Sequence, residues 1–319
     1  MNSSPLLETR HLKKYFQTPA GTVHAVDDVS LSIMPGETLG VVGESGCGKS
    51  TLGRTILRLV EPTSGEILYK GENIAAFDKK KMLTIRSELQ MIFQDPYASL
   101  NPRLSVSEII AEPLIVGHAF HTSREREERI LRLMDTVGLA RRLRDSYPHE
   151  LDGGRRQRIG IARALATNPR FIVCDEPVSA LDVSIQAQIL NLLMDLQEEQ
   201  GLSYLFITHD LSVVKHISNY IAVMYLGQCV EYAETRELFR NPLHPYTRAL
   251  LAAIPVIDIT QRGKPREVIQ GEVVSPIDPG EGCRFAPRCP FVGTGCNANQ
   301  TLRCVGEKHW VACCKEDLQ

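Results

Sequence analysis

Apolar residues recur along this chain in two rhythms. Short unbroken runs read as buried strands: Thr38–Val42 (TLGVV), residues 171–174 (FIVC) and residues 204–208 (YLFIT). Spacings of three and four read as helices. Residues 49–60 form one such pattern. Val183–Gln200 forms another, with Ile185, Ile189, Leu192, Leu193 and Leu196 on one stripe. Residues 125–137 form a third, in which the charge run REREER is a solvated face. Strands and helices alternate to about residue 240, which predicts a parallel sheet with helices on its faces.

The rhythm stops after Ile257. Proline, glycine and charge dominate the next stretch (QRGKPREV, SPIDPGEG), and cysteines crowd the remainder of the chain. This predicts two domains, residues 1–257 and 258–319, the second an extended appendage with little apolar core of its own. No apolar run approaches the ~18 residues of a membrane span; the best is residues 249–257. The start, MNSSPLLETR, has no apolar signal core. The expectation is a cytosolic chain that meets a membrane only through partners.

Charge narrows the function classes. With 36 Lys+Arg against 38 Asp+Glu the net charge is −2, which argues against nucleic-acid binding by bulk positive charge. The nine cysteines are unevenly placed. Cys47, Cys174 and Cys229 are scattered, whereas Cys283, Cys289, Cys296, Cys304, Cys313 and Cys314 gather at the end. In a reducing compartment such a cluster points to metal rather than disulfides.

The strongest motif is Gly43-Glu44-Ser45-Gly46-Cys47-Gly48-Lys49-Ser50, followed by Thr51. It fits G-x-x-x-x-G-K-[ST] and sits between a strand and a helix pattern. Glycines let successive N–H groups curl around phosphate oxygens, and the helix start adds favourable partial charge. Lys49 reaches the β- and γ-phosphates, and the Ser50 hydroxyl suits Mg²⁺. A phosphate loop needs an acidic partner at a strand end. FIVC-Asp175-Glu176 supplies it, with Asp175 toward Mg²⁺ and Glu176 as the group that polarises water. No Asn-Lys-x-Asp occurs, which favours ATP over GTP.

Leu151-Asp152-Gly153-Gly154-Arg155 resembles the LSGGQ signature of ABC ATPases, and the family's other marks stand in order around it. Gln94 in IFQD resembles the Q-loop, Ser179-Ala180-Leu181-Asp182 the D-loop, and His209 the switch histidine. Phe16 in LKKYF resembles the adenine-stacking aromatic, with Tyr15 an adjacent rival. YPHE, VVKHIS, VMYLGQCVE and NPLHPYTRALLAAIP are similar to the ATPases of oligopeptide and dipeptide permeases, most of all to their F-type subunit. The resemblance implies a P-loop NTPase of α/β class: a RecA-like core with antiparallel β and helical subdomains, plus a small Cys-rich extension. It implies a head-to-tail dimer with a D-type ATPase subunit at the cytoplasmic face of the cell membrane. Its further partners would be two transmembrane permease subunits and an extracytoplasmic solute-binding protein. Lys49, Glu176 and His209 would act on the phosphate, Gln94 with Ser50 and Asp175 on Mg²⁺, and Asp152, Gly153, Gly154 and Asp182 on the partner's ATP. Nickel or oligosaccharide import, or a redox-sensing ATPase without transport, remain alternatives.

Two departures stand out. Asp152 and Arg155 replace the serine and glutamine of LSGGQ. A carboxylate there either opposes the partner's γ-phosphate or serves as a helix cap paired with Arg155. In the tail, Cys283, Cys289, Cys296 and Cys313 suit a [4Fe–4S] cluster of the kind the family carries, with zinc as the alternative. Cys304 and Cys314 compete with Cys313 for the fourth place.

Overall fold

The computed structural model describes residues 4–117, 122–254, 271 and 274–315. They fall into two compact units. One comprises Met1–Ile33, Thr38–Ala75 and Thr208–Gln319, the other Met34–Glu37 and Ala76–Ile207.

The first unit holds two strand groups. An antiparallel sheet in the order β2-β1-β4-β5 is built from β1 (Leu7–Thr18), β2 (Gly21–Ile33), β4 (Ser64–Tyr69) and β5 (Glu72–Asn73). β1 and β2 are long, and their register slips three times, so their side chains do not alternate cleanly. That is why a two-residue rhythm did not reveal them. The second group starts from β3 (Thr38–Val42), every residue of which is buried, as an apolar run requires. β3 pairs in parallel with β9 (Tyr220–Tyr225), and β9 pairs antiparallel with β10 (Gln228–Glu234). A hairpin from the chain's end, β11 (Arg303–Gly306) and β12 (His309–Val311), extends this ladder through β10. Helices α1 (Lys49–Ile56), α8 (Leu211–Ile217), α9 (Thr235–Arg240) and α10 (Pro245–Ala252) complete the unit.

α1 is shorter than the predicted helix over residues 49–60. Leu57 caps it, Arg58 takes a positive φ of 50°, and the chain turns before Pro62. The described part of the cysteine-rich tail belongs to this same unit. Phe285, Val311 and Ala312 are buried, and the buried His309 ring meets the Glu231 carboxylate of β10 at 2.7 Å. The boundary expected after residue 257 lies outside the described residues.

The second unit contains three parallel strands, β6 (Leu89–Ile92), β7 (Phe171–Asp175) and β8 (Ser203–Ile207), with β7 between the others. Its helices are α2 (Lys79–Arg86), α3 (Pro96–Ser99), α4 (Val106–Val116), α5 (Ser123–Thr136), α6 (Gly153–Leu165) and α7 (Val183–Gln200). α5 begins with a capping box between Thr122 and Glu125. α7 buries Ile189, Leu193 and Leu196 fully and Ile185 and Leu192 partly, so the stripe read from spacing is the packed face. No helix of the described residues is long and apolar enough to cross a membrane.

Candidate functional site

The phosphate loop lies between β3 and α1. Gly43 has φ 149°, and a Cβ there would lie 2.2 Å from the Met224 carbonyl oxygen. Gly48 has φ 103°, and a Cβ would lie 1.9 Å from the Ala25 carbonyl oxygen. Both positions demand glycine by conformation and by space. The buried Lys49 turns back over the loop, its ammonium donating to the carbonyls of Gly43 (2.8 Å) and Glu44 (3.0 Å). Ser45 and Gly46 are exposed at the crest, Ser50 and Thr51 are half-buried in the first turn of α1, and Cys47 is buried beneath. Burial pushes the Cys47 thiol up, so it stays protonated and packs as a small apolar group.

The loop is also gripped from far along the chain. The Glu44 N–H donates to the Tyr246 hydroxyl at 2.8 Å. Gly227 N–H donates to the Cys47 carbonyl at 2.8 Å. Arg288 forks onto both carboxylate oxygens of Glu44, at 2.8 and 3.1 Å. That pairing holds the guanidinium strongly in its charged form.

Of the two candidate aromatics, Phe16 presents the more open ring, 39% exposed with the Lys14 ammonium 4.8 Å above it. Tyr15 is committed elsewhere. Its ring stacks on His24 at 4.0 Å, and its hydroxyl donates to Asp27. Asp27 also pairs with Arg284. Burial pushes the Asp27 carboxyl up, but the Tyr15 hydrogen bond and the Arg284 charge outweigh it and hold the group below the usual carboxylate range. His209 follows Thr208, whose N–H donates to Val41 of β3, so the histidine is held beside the strand that feeds the phosphate loop. It is exposed just ahead of α8.

In the second unit, Asp175 ends β7 fully buried. Glu176 follows with φ 46°, a left-handed conformation uncommon for glutamate and concentrated at functional sites. Its N–H donates to the Ile207 carbonyl at 2.9 Å, and its Oε2 accepts from the Gln94 amide at 2.9 Å. The structure therefore joins two residues that the sequence sets 82 positions apart. Asp152 caps α6: its Oδ1 accepts the Arg155 N–H at 2.8 Å, and its Oδ2 lies 3.4 Å from the Arg155 guanidinium. Gly153 and Gly154 open that helix, and Asp182, exposed, precedes α7.

The tail cysteines gather, with one exception. Cys283, Cys289, Cys296, Cys313 and Cys314 line one pocket together with Phe285 and His244. Cys296 and Cys314 sulfurs lie 3.5 Å apart. Burial pushes the Cys283 and Cys289 thiols up, and burial with the Cys296 contact raises Cys314 to about 11. Cys304 stands on β11, exposed, its thiol turned to the Gly306 carbonyl. Among the described residues no three of His, Cys, Asp and Glu are grouped so as to hold a single metal ion.

Sequence reasoning missed Arg284, Arg288, Tyr225 and Tyr246 as neighbours of the nucleotide-binding elements. Arg284, Arg288 and Tyr246 lie more than 200 positions from Asp27 and Glu44, which they touch, and no local pattern announces such pairings.

Residues 26–179 match the ABC transporter family, and residues 230–296 match the oligopeptide/dipeptide transporter C-terminal region. The chain is 51% identical to the oligopeptide transport ATP-binding protein AppF of Bacillus subtilis, covering 98% of each. It is 50% identical to the oligopeptide transport ATP-binding protein OppF of Escherichia coli, covering 97% of this chain and 93% of that one. The dipeptide transport ATP-binding protein DppF of Haemophilus influenzae is 50% identical, covering 93% and 92%. A solved dimer of the ATP-binding cassette MJ0796 bound to ADP and phosphate superimposes with TM-score 0.67 at 31% identity, covering 72% of this chain and 99% of that one. The chain belongs to the oligopeptide/dipeptide permease family of ABC transporter ATP-binding subunits.

Proposed function

We propose that this chain hydrolyses ATP to drive import of dipeptides and oligopeptides through two membrane permeases. The observation that carries the catalytic half is the Gln94–Glu176 hydrogen bond at the end of β7, with Glu176 in a left-handed conformation. The peptide half rests on relatives that match nearly the whole chain.

The chemistry follows from the chain's own groups. Lys49 exchanges the Gly43 and Glu44 carbonyls for phosphate oxygens when nucleotide enters. Phe16 stacks on the adenine. Ser50, Asp175 and Gln94 are oxygen ligands suited to Mg²⁺, which when bound neutralises phosphate charge. Glu176 takes the proton of the attacking water. Gln94 holds one of its carboxylate oxygens in place. His209 steadies the γ-phosphate. Asp152, Gly153, Gly154 and Asp182 act on the nucleotide of a D-type partner subunit in a head-to-tail dimer. That dimer sits at the cytoplasmic face of the membrane, supplied by an extracytoplasmic solute-binding protein.

Residues 1–257 carry the ATPase, and 258–319 form the Cys-rich extension. A tetrahedral zinc ion and a [4Fe–4S] cluster each take four thiolates, and five thiols line one pocket. Cys283, Cys289, Cys296 and Cys313 are the proposed ligands, with Cys314 the rival for the last place. Such a cluster supplies a rigid, redox-sensitive crosslink; the ATPase chemistry does not pass through it.

The test is a pair of variants in the assembled transporter. Glu176→Gln keeps ATP binding and loses turnover by ~10²–10⁴-fold, whereas Lys49→Ala weakens binding itself. Wild-type turnover from Glu176→Gln, with the partner's site disabled, overturns the assignment.

A further inference from the structure

The tail segment from Cys283 to Cys289 reads Cys-Arg-Phe-Ala-Pro-Arg-Cys. Its two cysteines line the thiol pocket. The three residues between them that carry large side chains reach the elements that hold nucleotide. Arg284 donates to the Leu226 carbonyl and pairs with Asp27, which holds the Tyr15 hydroxyl. Tyr15 immediately precedes Phe16, so this chain of contacts ends at the adenine platform. Phe285 packs edge-on against Tyr225 at 5.2 Å and at a tilt against Tyr246 at 5.5 Å. The Tyr246 hydroxyl in turn accepts the Glu44 N–H. Arg288 forks onto the Glu44 carboxylate and reaches the Tyr225 hydroxyl at 3.4 Å.

The segment is stiff. Ala286 N–H bonds to Cys283, Arg288 N–H to Phe285, and Cys289 N–H to Ala286, at 3.0, 2.9 and 3.2 Å, a tight turn with little slack. Both arginine side chains are only 7% exposed, and a buried guanidinium fork tolerates little displacement. A cysteine moved at either end therefore moves an arginine. Arg288 also carries an electrostatic duty. Glu44 belongs to the loop that receives a polyphosphate, and without its arginine this carboxylate would oppose the incoming charge.

We propose that the thiol pocket is a control site for nucleotide binding, with Arg288 and Arg284 as the positioning residues that carry its state to the phosphate loop and the adenine platform. This rests on the reading that residues 43–51 bind ATP. Binding or loss of a metal centre at the thiols is thereby felt as a change in ATP affinity. Linkage requires the reverse as well, so ATP must alter the affinity of the pocket thiols for that centre by the same factor.

The test measures the ATP dissociation constant of the full chain in its transporter complex, with melting temperature as a folding check. Arg288→Ala is expected to weaken ATP about 10-fold, equivalent to about 1.4 kcal/mol. Cys289→Ser is expected to weaken it at least ~3-fold, and the double variant is expected to be no worse than Arg288→Ala alone, since the two act through one path. Adding Glu44→Gln to Arg288→Ala is expected to recover affinity, which a purely structural role would not produce. Where Arg288→Ala fails to fold, Arg288→Lys replaces it and gives an intermediate loss. Unchanged affinity in Cys289→Ser, or losses that multiply in the double variant, overturns the coupling. A wild-type chain that binds ATP no better than Lys49→Ala overturns the underlying reading instead.

Discussion

The phosphate loop and the signature loop are both glycine-rich turns that open a helix, yet they are held in opposite ways. The phosphate loop is fixed at long range. Backbone of Ala25 and Met224 walls in its glycines, Gly227 and Tyr246 bind its backbone, and Arg288 binds its one carboxylate. The signature is fixed locally. Asp152 caps its own helix and pairs with Arg155 three residues on, both side chains about half exposed. A loop that must keep one shape around a polyphosphate is braced by distant parts of its unit. A loop proposed to meet a partner's nucleotide is left open and carries its own support.

The largest expected effect separates the two by glycine substitution. Gly48→Ala drives a Cβ into the Ala25 carbonyl at a backbone conformation alanine resists. It is expected to weaken ATP binding by ~100-fold or more, with a cost above about 2 kcal/mol in stability. Gly154→Ala is crowded by an Ile185 methyl at 2.8 Å, with Asp152 Oδ1 at an ordinary 3.5 Å, and the isoleucine side chain can give way. It is expected to cost at most about 1 kcal/mol in stability and to leave the chain's own ATP affinity intact, with loss confined to turnover. Titration of ATP and thermal melts of both variants check this. Equal loss of ATP affinity in the two would erase the distinction.

Next in size is the tail. Anaerobically purified chain is expected to be brown, with about four irons per chain, and Cys283→Ser or Cys289→Ser is expected to bleach it. Cys304→Ser is expected to leave the colour unchanged, because Cys304 lies apart from the pocket. Stoichiometric zinc without iron would replace the cluster while keeping the thiolate site. Neither metal after reconstitution would remove the cofactor from the account.

The smallest effect tests the signature's local support. Asp152 spends one oxygen on capping, and Arg155 stands beside the other. Arg155→Gln removes the balancing charge and is expected to reduce turnover at the partner's site by ~3–10-fold, from about 1 kcal/mol of restored repulsion. Asp152→Ser, which lifts that carboxylate, is expected to raise turnover there by less. Separate disabling of the two catalytic glutamates assigns the change to one site. A large gain from Asp152→Ser would mean that Arg155 does not balance the charge.

This contrast also explains what the sequence could tell. Gly43, Gly48, Lys49, Asp175 and Glu176 stand out as candidates in the sequence because they fall in contiguous motifs at strand ends. β3 and α7 were legible because burial imposes an apolar run on one and a stripe on the other. β1 and β2 were not, because their slipped register breaks the alternation that marks a strand. The Asp152–Arg155 pair was foreseeable from helical spacing. The Arg288–Glu44 and Arg284–Asp27 pairs were not, since nothing in a single chain couples positions so far apart. Which of the last cysteines gather was not legible either: in three dimensions Cys313 and Cys314 line the pocket and Cys304 does not.

ATP hydrolysis by this chain moves peptide across a membrane. The most direct test is uptake of labelled dipeptides and oligopeptides into vesicles holding the complete transporter, with ATP supplied on the side of this subunit. Peptide is expected to accumulate only with ATP, to be competed by unlabelled peptide but not by nickel or oligosaccharide, and to stop accumulating in Glu176→Gln while ATP remains bound. Peptide accumulation that persists in Glu176→Gln, or ATP turnover that nickel or a sugar stimulates and peptide does not, would contradict it.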